Sequence, residues 1–393
     1  MGRAEAPHDA DQLGGPEIGP VLHRRRDEAL GPWRVAATGF LITIVATLTV
    51  AALAAAPSER LAVDFRRVYM PAAEAVLHGE SPYLVARGGY VYPPQLAFVL
   101  TPMTFLPDDV AAILALFLVA ALLVVTLFVL GVRDILCYLA LFAWAPTWQE
   151  LDMASITPAL ALLVALAWRS RERTWPPALA LALVVPAKLF LWPLLVWTYA
   201  TPRVRVTAYA VALGVGMTVA VWAVLRFQGL AQYPAMLRGL HETEAQRGYS
   251  LVGVTLSLGQ ARALGEVLML VVGAALIVGC IACARRDDEQ RSFMLALGAA
   301  LVLMPILWLH YLTLLVVPLA IARPRFSALW LLPCVLWVGS SPMNPDGYLT
   351  LLPALVSALL LVRLVAEPSM PLDARQGRRP RRTLVVTAAE LQT

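Results

Sequence analysis

Residues 109–130 read DVAAILALFLVAALLVVTLFVL, a run of 22 residues whose only charge stands at its first position. A membrane-crossing α-helix needs about 20 apolar residues, and this run supplies them. Similar apolar segments cover most of the chain between residues 34 and 365. The full chain of 393 residues is 60% hydrophobic and 15% charged, which is typical of membrane proteins with several spans. Because the apolar runs are continuous and lack a period of two, they exclude a β-barrel.

The sequence therefore predicts an all-α polytopic membrane protein with roughly 11 to 13 transmembrane helices. Residues 1–33 and 367–393 are rich in charge, Gly or Pro and are predicted to be disordered cytoplasmic tails. Residues 34–366 form one transmembrane domain, with extracytoplasmic loops at 57–92 and 227–262. The first span is expected at 34–56, followed by an interfacial helix that lies on the membrane surface and ends at Gly79.

Arginine clusters support this orientation. They recur after every second apolar segment, at 133, 169–173, 203–205, 285–286, 323–325 and in the RRPRR tail. Positively charged loops stay in the cytoplasm, so the intervening arginine-poor connections fall outside. All clusters can be cytoplasmic together only if segment 93–106 is re-entrant or partial. A full crossing by this segment would invert the loops that follow it.

The polar connection after the first span begins with Asp64 and reads DFRRVYMPAAEAVLHGESPYLVARGGYVYPP. Burial beside the membrane would raise the pKa of Asp64 toward the range of a general base. Equally, Asp64 could simply cap the interfacial helix. Arg66 and Arg67 could bind phosphate oxygens or contact lipid headgroups nonspecifically. The tyrosines of this loop could stack on a sugar or a polyprenyl chain, or belong to the interfacial aromatic belt; they include Tyr69, Tyr83 and Tyr92.

Two further ionisable residues lie within apolar segments on the same predicted side. Lys188 is the only lysine of the chain and follows Pro186 in VVPAKLFLWP. An ionisable group inside a span favours a functional role, here as a cation for a lipid-linked phosphate, with snorkelling to the surface as the alternative. His310, in LWLHYLTLLVVP, could bind phosphate or a substrate hydroxyl, or be a satisfied belt residue.

The long loop 227–262 offers weaker candidates. His241 and Glu242 could shape a site for an acceptor, although a solvated loop explains them as well, and Glu150 and Asp152 are of the same weak kind. No nucleotide-binding loop or paired metal-ligand motif occurs in the sequence. The prediction is therefore a site with no cofactor and no metal, and with no nucleic-acid partner.

One family resemblance rests on the same residues. Asp64 after the first span, Tyr69, a helix ending at Gly79, the Ser-Pro-Tyr of 81–83 and the Val-Tyr-Pro-Pro of 91–94 resemble the family-87 glycosyltransferases. Weaker similarity continues at Lys188 and around His310. One departure concerns 149–155, where the family often has a Gly-Gln-x-Asn-like turn and this chain reads QELDMAS.

The resemblance implies a GT-C-like fold and a polyprenol-phosphate-mannose-dependent mannosyltransferase of the kind found in actinobacteria. Residues 34–366 would then be the catalytic domain, located in the plasma membrane with its site facing outward. Asp64 would act as general base in one inverting displacement, while Lys188, His310 or a loop arginine stabilises the leaving phosphate. The acceptor would be a lipid or glycan hydroxyl. Arabinofuranose or glucose could replace mannose, and a transporter of lipid or glycan precursors without catalysis is the alternative from another class.

Overall fold

The computed structural model describes residues 32–55, 61–85, 89–338 and 347–366. All regular structure in these ranges is helical. The prediction of an all-α protein is therefore confirmed for the described part of the chain. The two predicted disordered tails lie outside the described residues, except that residues 32–33 belong to the first helix.

Helices follow one another with short connections. The α-helices of the described ranges are α1 Pro32–Ala55, α2 Met70–Leu77, α3 Pro82–Val85, α4 Gln95–Leu100, α5 Asp108–Val129, α6 Ile135–Ala143, α7 Ala145–Met153, α8 Thr157–Arg169, α9 Trp175–Ala187, α10 Pro193–Ala200, α11 Val204–Val224, α12 Tyr233–Glu244, α13 Leu251–Ser257, α14 Arg262–Ala284, α15 Glu289–Val302, α16 Val316–Ala322 and α17 Leu351–Ala366. A π-helix occupies Phe65–Tyr69, and 3₁₀ helices occupy Thr101–Phe105, Leu189–Leu191, Ala245–Arg247, Leu309–Leu315, Ala328–Trp337 and Gly347–Thr350.

Four helices in the described ranges are long and apolar enough to cross a membrane: α5, α11, α14 and the segment Tyr348–Ala366. The number becomes five if α7 and α8, which meet at an angle of 119°, count as one broken span. The expected number of roughly 11 to 13 spans exceeds this count. Several apolar helices are shorter than the roughly 20 residues of a straight span, among them α9 with 13 residues and the 3₁₀ helix Ala328–Trp337 with 10.

Segment 93–106 takes the short form under which all the arginine clusters can be cytoplasmic together. Its helices are α4 and the 3₁₀ helix Thr101–Phe105, which together cover 11 residues, Gln95–Phe105. A straight crossing needs about 20 residues, so this segment is too short to span the bilayer as a helix. It leads through Pro107 into α5, whose first turn carries Asp108 and Asp109 at the positive end of the helix dipole.

The predicted interfacial helix corresponds to α2. Its residues Ala72, Ala75 and Val76 are buried, and the chain leaves the helix through Gly79 at φ +76°. Tyr69, in the π-helix that precedes α2, is also buried. Tyr69, Ala72 and Val76 pack in one apolar cluster with Ala111, Ala112, Ala115 and Val119 of α5. The first polar loop is thereby held against a membrane-spanning helix.

Arginine-bearing connections meet at one end of the helices. Arg171 Nε lies 3.4 Å from Glu289 Oε2, and Arg203 also pairs with Glu289. The connections between α8 and α9, between α10 and α11, and before α15 are joined in this way. Helix α8 runs toward this end and α9 runs back from it, so Lys188, after α9, lies at the opposite end.

Candidate functional site

A cavity of about 1030 Å³ opens at that opposite end. Its wall is assembled from segments far apart in the chain: the start of the π-helix, the Val91-Tyr92-Pro93 turn, the break after α9, helix α12 and residues 304–311. Side chains from helix α7 complete it. Three of the charged or ionisable residues predicted from the sequence line this one cavity: Asp64, Lys188 and His310.

Asp64 stands immediately before the π-helix and faces the cavity. Its backbone is helical, with φ −65° and ψ −39°, and its side chain makes no capping hydrogen bond. The alternative role as a helix cap is thus absent from the structure. Burial raises the pKa of the Asp64 carboxyl, and the charge of Lys188 lowers it in part. A carboxylate in this setting is more basic than one in water.

Lys188 is placed by a break in the backbone. Helix α9 contains Pro186 and ends at Ala187, and Lys188 itself is extended, with φ −145° and ψ 101°. Its Nζ atom donates a hydrogen bond to the Tyr311 hydroxyl. The same atom lies 4.5 Å from the ring centre of Tyr92 and 3.9 Å from that of Tyr311. Two aromatic faces therefore surround the ammonium group.

His310 lies in the 3₁₀ helix Leu309–Leu315 and is only 5% exposed. Its backbone N–H donates to Gln149 Oε1 over 2.8 Å, which ties this helix to α7. Both ring nitrogens are buried and have no hydrogen-bond partner among the described residues. Buried polar atoms are usually paired. The two unpaired ring nitrogens therefore leave this imidazole free to bind a group that enters the cavity.

The predicted tyrosines divide into one that faces the cavity and two that support it. Tyr92 lines the cavity. The Tyr69 hydroxyl donates to the Tyr92 hydroxyl over 2.9 Å, and the Tyr83 hydroxyl donates to the Tyr92 carbonyl over 2.9 Å. Tyr83 also stacks on Trp222, with ring centres 5.4 Å apart. Tyr69 and Tyr83 thus hold Tyr92 from behind and are outside the cavity wall.

Neither predicted loop arginine reaches the cavity. Arg66 Nη2 forms an ion pair of 2.9 Å with Asp109 Oδ1 at the start of α5. Arg67 is exposed on the opposite side of the π-helix from the buried Phe65 and Tyr69. The structure therefore separates these two arginines from Asp64, although they follow it closely in the chain.

The predicted acceptor-side residues also separate. His241 lines the cavity, with its Nε2 atom 3.2 Å from Arg262 Nη1 and 3.5 Å from Glu266 Oε1. Glu242 is exposed and is outside the wall; its carbonyl accepts a hydrogen bond from Arg262. Beyond His241 the wall continues with the Glu244–Arg247 ion pair, at 3.2 Å.

Three residues at the site escaped the sequence interpretation or were underrated by it: Gln149, Tyr311 and Glu150. Gln149 supports His310, and Tyr311 binds Lys188. Glu150 is completely buried; its Oε2 accepts a 2.6 Å hydrogen bond from Ser155, and its Oε1 has no partner in the described structure. The available signal for Glu150 was its place in the polar connection QELDMA at 149–154, between two apolar segments. Tyr311 adjoins His310 in the sequence, but no local pattern distinguishes it from a belt tyrosine.

Within the described ranges no group of three or more His, Cys, Asp or Glu side chains is arranged to hold a metal ion. The charged or ionisable groups of the cavity are instead two carboxylates, one ammonium group, one guanidinium group, two imidazoles and several hydroxyls. Such a set can accept a proton at one point and stabilise negative charge at another.

Fold and cavity together define a polytopic helical membrane protein in which buried ionisable groups converge on one large cavity. The model of glycosyltransferase family 87 matches residues 90–318, more than half of the chain. The chain belongs to this family and is a membrane glycosyltransferase. Comparison with curated proteins and with solved structures gives no match. The matched range includes Lys188 and His310, whereas Asp64 precedes it.

Proposed function

We propose that this protein transfers a sugar, most simply mannose, from a polyprenyl-phosphate donor to a hydroxyl of a lipid-linked or glycan acceptor. The reaction takes place on the extracytoplasmic side of the plasma membrane. The observation that carries the proposal is the convergence of Asp64, Lys188 and His310 on one cavity of about 1030 Å³ in a family-87 chain. A cavity of this size accepts a sugar phosphate together with part of an acceptor.

In the proposed reaction Asp64 takes the proton of the acceptor hydroxyl. The acceptor oxygen attacks the anomeric carbon, and the bond from that carbon to the phosphate oxygen breaks, so its electron pair leaves with the phosphate. A single displacement of this kind inverts the anomeric configuration. Lys188 and His310 stabilise the negative charge that develops on the departing phosphate. The proposal requires Lys188 to be charged and His310 to donate through one ring nitrogen.

The acceptor is assigned to the part of the cavity lined by α12. Met236, Leu237 and Leu240 form an apolar stretch of this wall, and His241 and Arg247 follow it. An acceptor with an apolar portion and polar substituents matches this order of side chains. The donor phosphate is assigned to the wall with Lys188 and His310, so that the two substrates meet at Asp64.

The decisive experiment is transfer by the Asp64→Asn variant in lipid nanodiscs, with radiolabelled polyprenyl-phosphate-mannose as donor. We expect the transfer rate to fall by about 10²- to 10⁴-fold, the usual contribution of a general base. The variant should remain folded, with a thermal midpoint equal to or above that of the wild type. Because the folded-state pKa of Asp64 is raised, its carboxyl favours folding below its unfolded-state pKa, and this contribution is lost as the pH rises through the folded-state value. The side-chain amide of the Asp64→Asn variant cannot ionise, so the variant does not lose this stability at neutral pH.

Asp108→Asn is the matched control, since Asp108 is an exposed aspartate at the start of α5 and is outside the cavity. This variant should transfer sugar at the wild-type rate. Full activity of Asp64→Asn would exclude the general-base role. In proteoliposomes, movement of intact donor across the bilayer without label on any acceptor would indicate transport in place of catalysis. Parallel assays with glucose and arabinofuranose donors decide the sugar.

A further inference from the structure

Lys188 has an unusual setting that its proposed role as a phosphate ligand does not by itself explain. The ammonium group sits between the rings of Tyr92 and Tyr311, at 4.5 and 3.9 Å from their centres. It also donates to the Tyr311 hydroxyl. An ammonium group has three N–H donors, so this bond uses one and leaves two.

The two tyrosines are themselves fixed by a chain of hydroxyl contacts. Tyr69 donates to Tyr92 over 2.9 Å, and the Tyr92 and Tyr311 hydroxyls interact in turn. All three rings are buried, with exposures of 1% for Tyr69, 6% for Tyr92 and 5% for Tyr311. Tyr92 is further held through its carbonyl by the Tyr83 hydroxyl. A lysine side chain has four rotatable bonds, and this surround removes most of its freedom.

We infer that Tyr92 and Tyr311 are positioning residues that form an aromatic cage around the Lys188 ammonium and direct its two remaining N–H groups into the cavity. Tyr311 supplies both an oxygen acceptor and a ring, while Tyr92 supplies a ring that also lines the cavity. This inference rests on the proposed function where it treats Lys188 as a ligand of the donor phosphate. The arrangement of the two tyrosines around the ammonium group does not depend on that function.

The effect of the cage on Lys188 can be measured directly by chemical modification. Lys188 is the only lysine of the chain, so acetylation of a side-chain amine by acetic anhydride reports on this one residue. Peptide mass spectrometry separates it from the N-terminal amine. Only the neutral amine reacts, and both the hydroxyl acceptor and the ring faces favour the charged form. The readout requires no sugar, donor or acceptor.

We expect Tyr311→Phe, which keeps the ring and removes the acceptor, to accelerate acetylation of Lys188 about tenfold at neutral pH, as for loss of a hydrogen bond from a charged donor. Tyr92→Leu, which removes one ring face, should accelerate it roughly fivefold. Tyr138→Phe is the control: it removes a hydroxyl that donates to the Val132 carbonyl outside the cavity, and its acetylation rate should equal that of the wild type.

The kinetics of sugar transfer test whether the cage contributes to the proposed reaction. If the cage aims Lys188 at the leaving phosphate, Tyr311→Phe lowers kcat for sugar transfer about tenfold with a smaller change in KM for the donor. Wild-type acetylation rates in both Tyr311→Phe and Tyr92→Leu would overturn the cage. If Tyr92→Leu fails to fold, Tyr311→Phe decides the question alone. Altered acetylation in a protein that transfers no sugar would leave the cage in place and remove the proposed function.

Discussion

At the scale of single residues, the cavity pairs an acid with a cation that act on each other. Burial raises the pKa of Asp64 while Lys188 opposes the rise. A base is most effective when its pKa lies near the working pH, because it is then both ionised and able to accept a proton. Lys188 thus has two consequences in the proposed mechanism: it contributes charge for a phosphate and limits how basic Asp64 becomes.

The pH profile of kcat/KM for sugar transfer tests this coupling through its acid limb, the range in which activity rises with pH. We expect activity to rise with pH as Asp64 loses its proton, at a pH above the range of an exposed aspartate. Lys188→Met removes the cation that lowers the pKa of Asp64, so the limb of its residual activity should move to higher pH. Arg238→Met, at an exposed arginine of α12, should leave the limb in place. An unmoved limb in Lys188→Met would mean that the limb does not report Asp64.

At the scale of elements, the turn between α7 and α8 shapes the wall behind the cavity. Ala154 adopts a left-handed conformation, with φ +48°, and the two helices meet at 119°. Ser155 closes the turn: its hydroxyl donates to Glu150 over 2.6 Å and accepts the Thr157 backbone N–H over 3.2 Å. The turn sets the direction of α7, from which Gln149 supports the His310 backbone.

Ser155→Ala should therefore destabilise the protein by about 2 kcal/mol, the effect of depriving a buried carboxylate of a donor. Chemical unfolding in detergent micelles would measure the difference in free energy. Ser155→Thr, which retains the hydroxyl, is the matched comparison and should lose less. The double variant Ser155→Ala with Glu150→Leu should recover part of the loss, since both polar partners are then gone. A Ser155→Ala protein as stable as the wild type would make this hydrogen bond dispensable.

On the scale of the whole molecule, the ion pairs of the arginine-bearing connections and the cavity lie at opposite ends of the helices. Arg171, Arg203 and Glu289 join the arginine-bearing connections, while Lys188 and the cavity lie where α9 ends. Arginine-rich loops are retained in the cytoplasm. The arrangement therefore supports the proposal that the cavity opens on the extracytoplasmic side.

Cysteine labelling in intact cells tests this orientation. In a variant without the native cysteines, Glu242→Cys on the exposed face of α12 should react with a membrane-impermeant maleimide. Arg173→Cys, exposed in the connection between α8 and α9, should react only after permeabilisation. The two positions serve as controls for each other. The reverse pattern would place the cavity in the cytoplasm and contradict the proposed location of transfer.

Much of the class and part of the site followed from the sequence, for a clear physical reason. Long apolar runs such as 109–130 have no stable place except a membrane, and only helices satisfy their own backbone hydrogen bonds there. Ionisable side chains are costly in such surroundings, so Lys188 and His310 stood out without any structure, while Asp64 stood out as the acid that begins the polar connection after the first span. All three line the same cavity, while their catalytic roles remain predictions.

Only the tertiary structure decided which polar side chains share the cavity. Asp64 and Arg66 are two residues apart, yet one faces the cavity and the other pairs with Asp109. The partners of Lys188 and His310 come from segments about a hundred residues away or more, as with Tyr311 at a separation of 123 and Gln149 at 161. Such contacts depend on how helices pack across the fold, and that packing leaves no periodic mark in the sequence around either partner. The length of the apolar runs placed the chain in the membrane; the breaks at Pro186 and between α7 and α8 assembled the cavity.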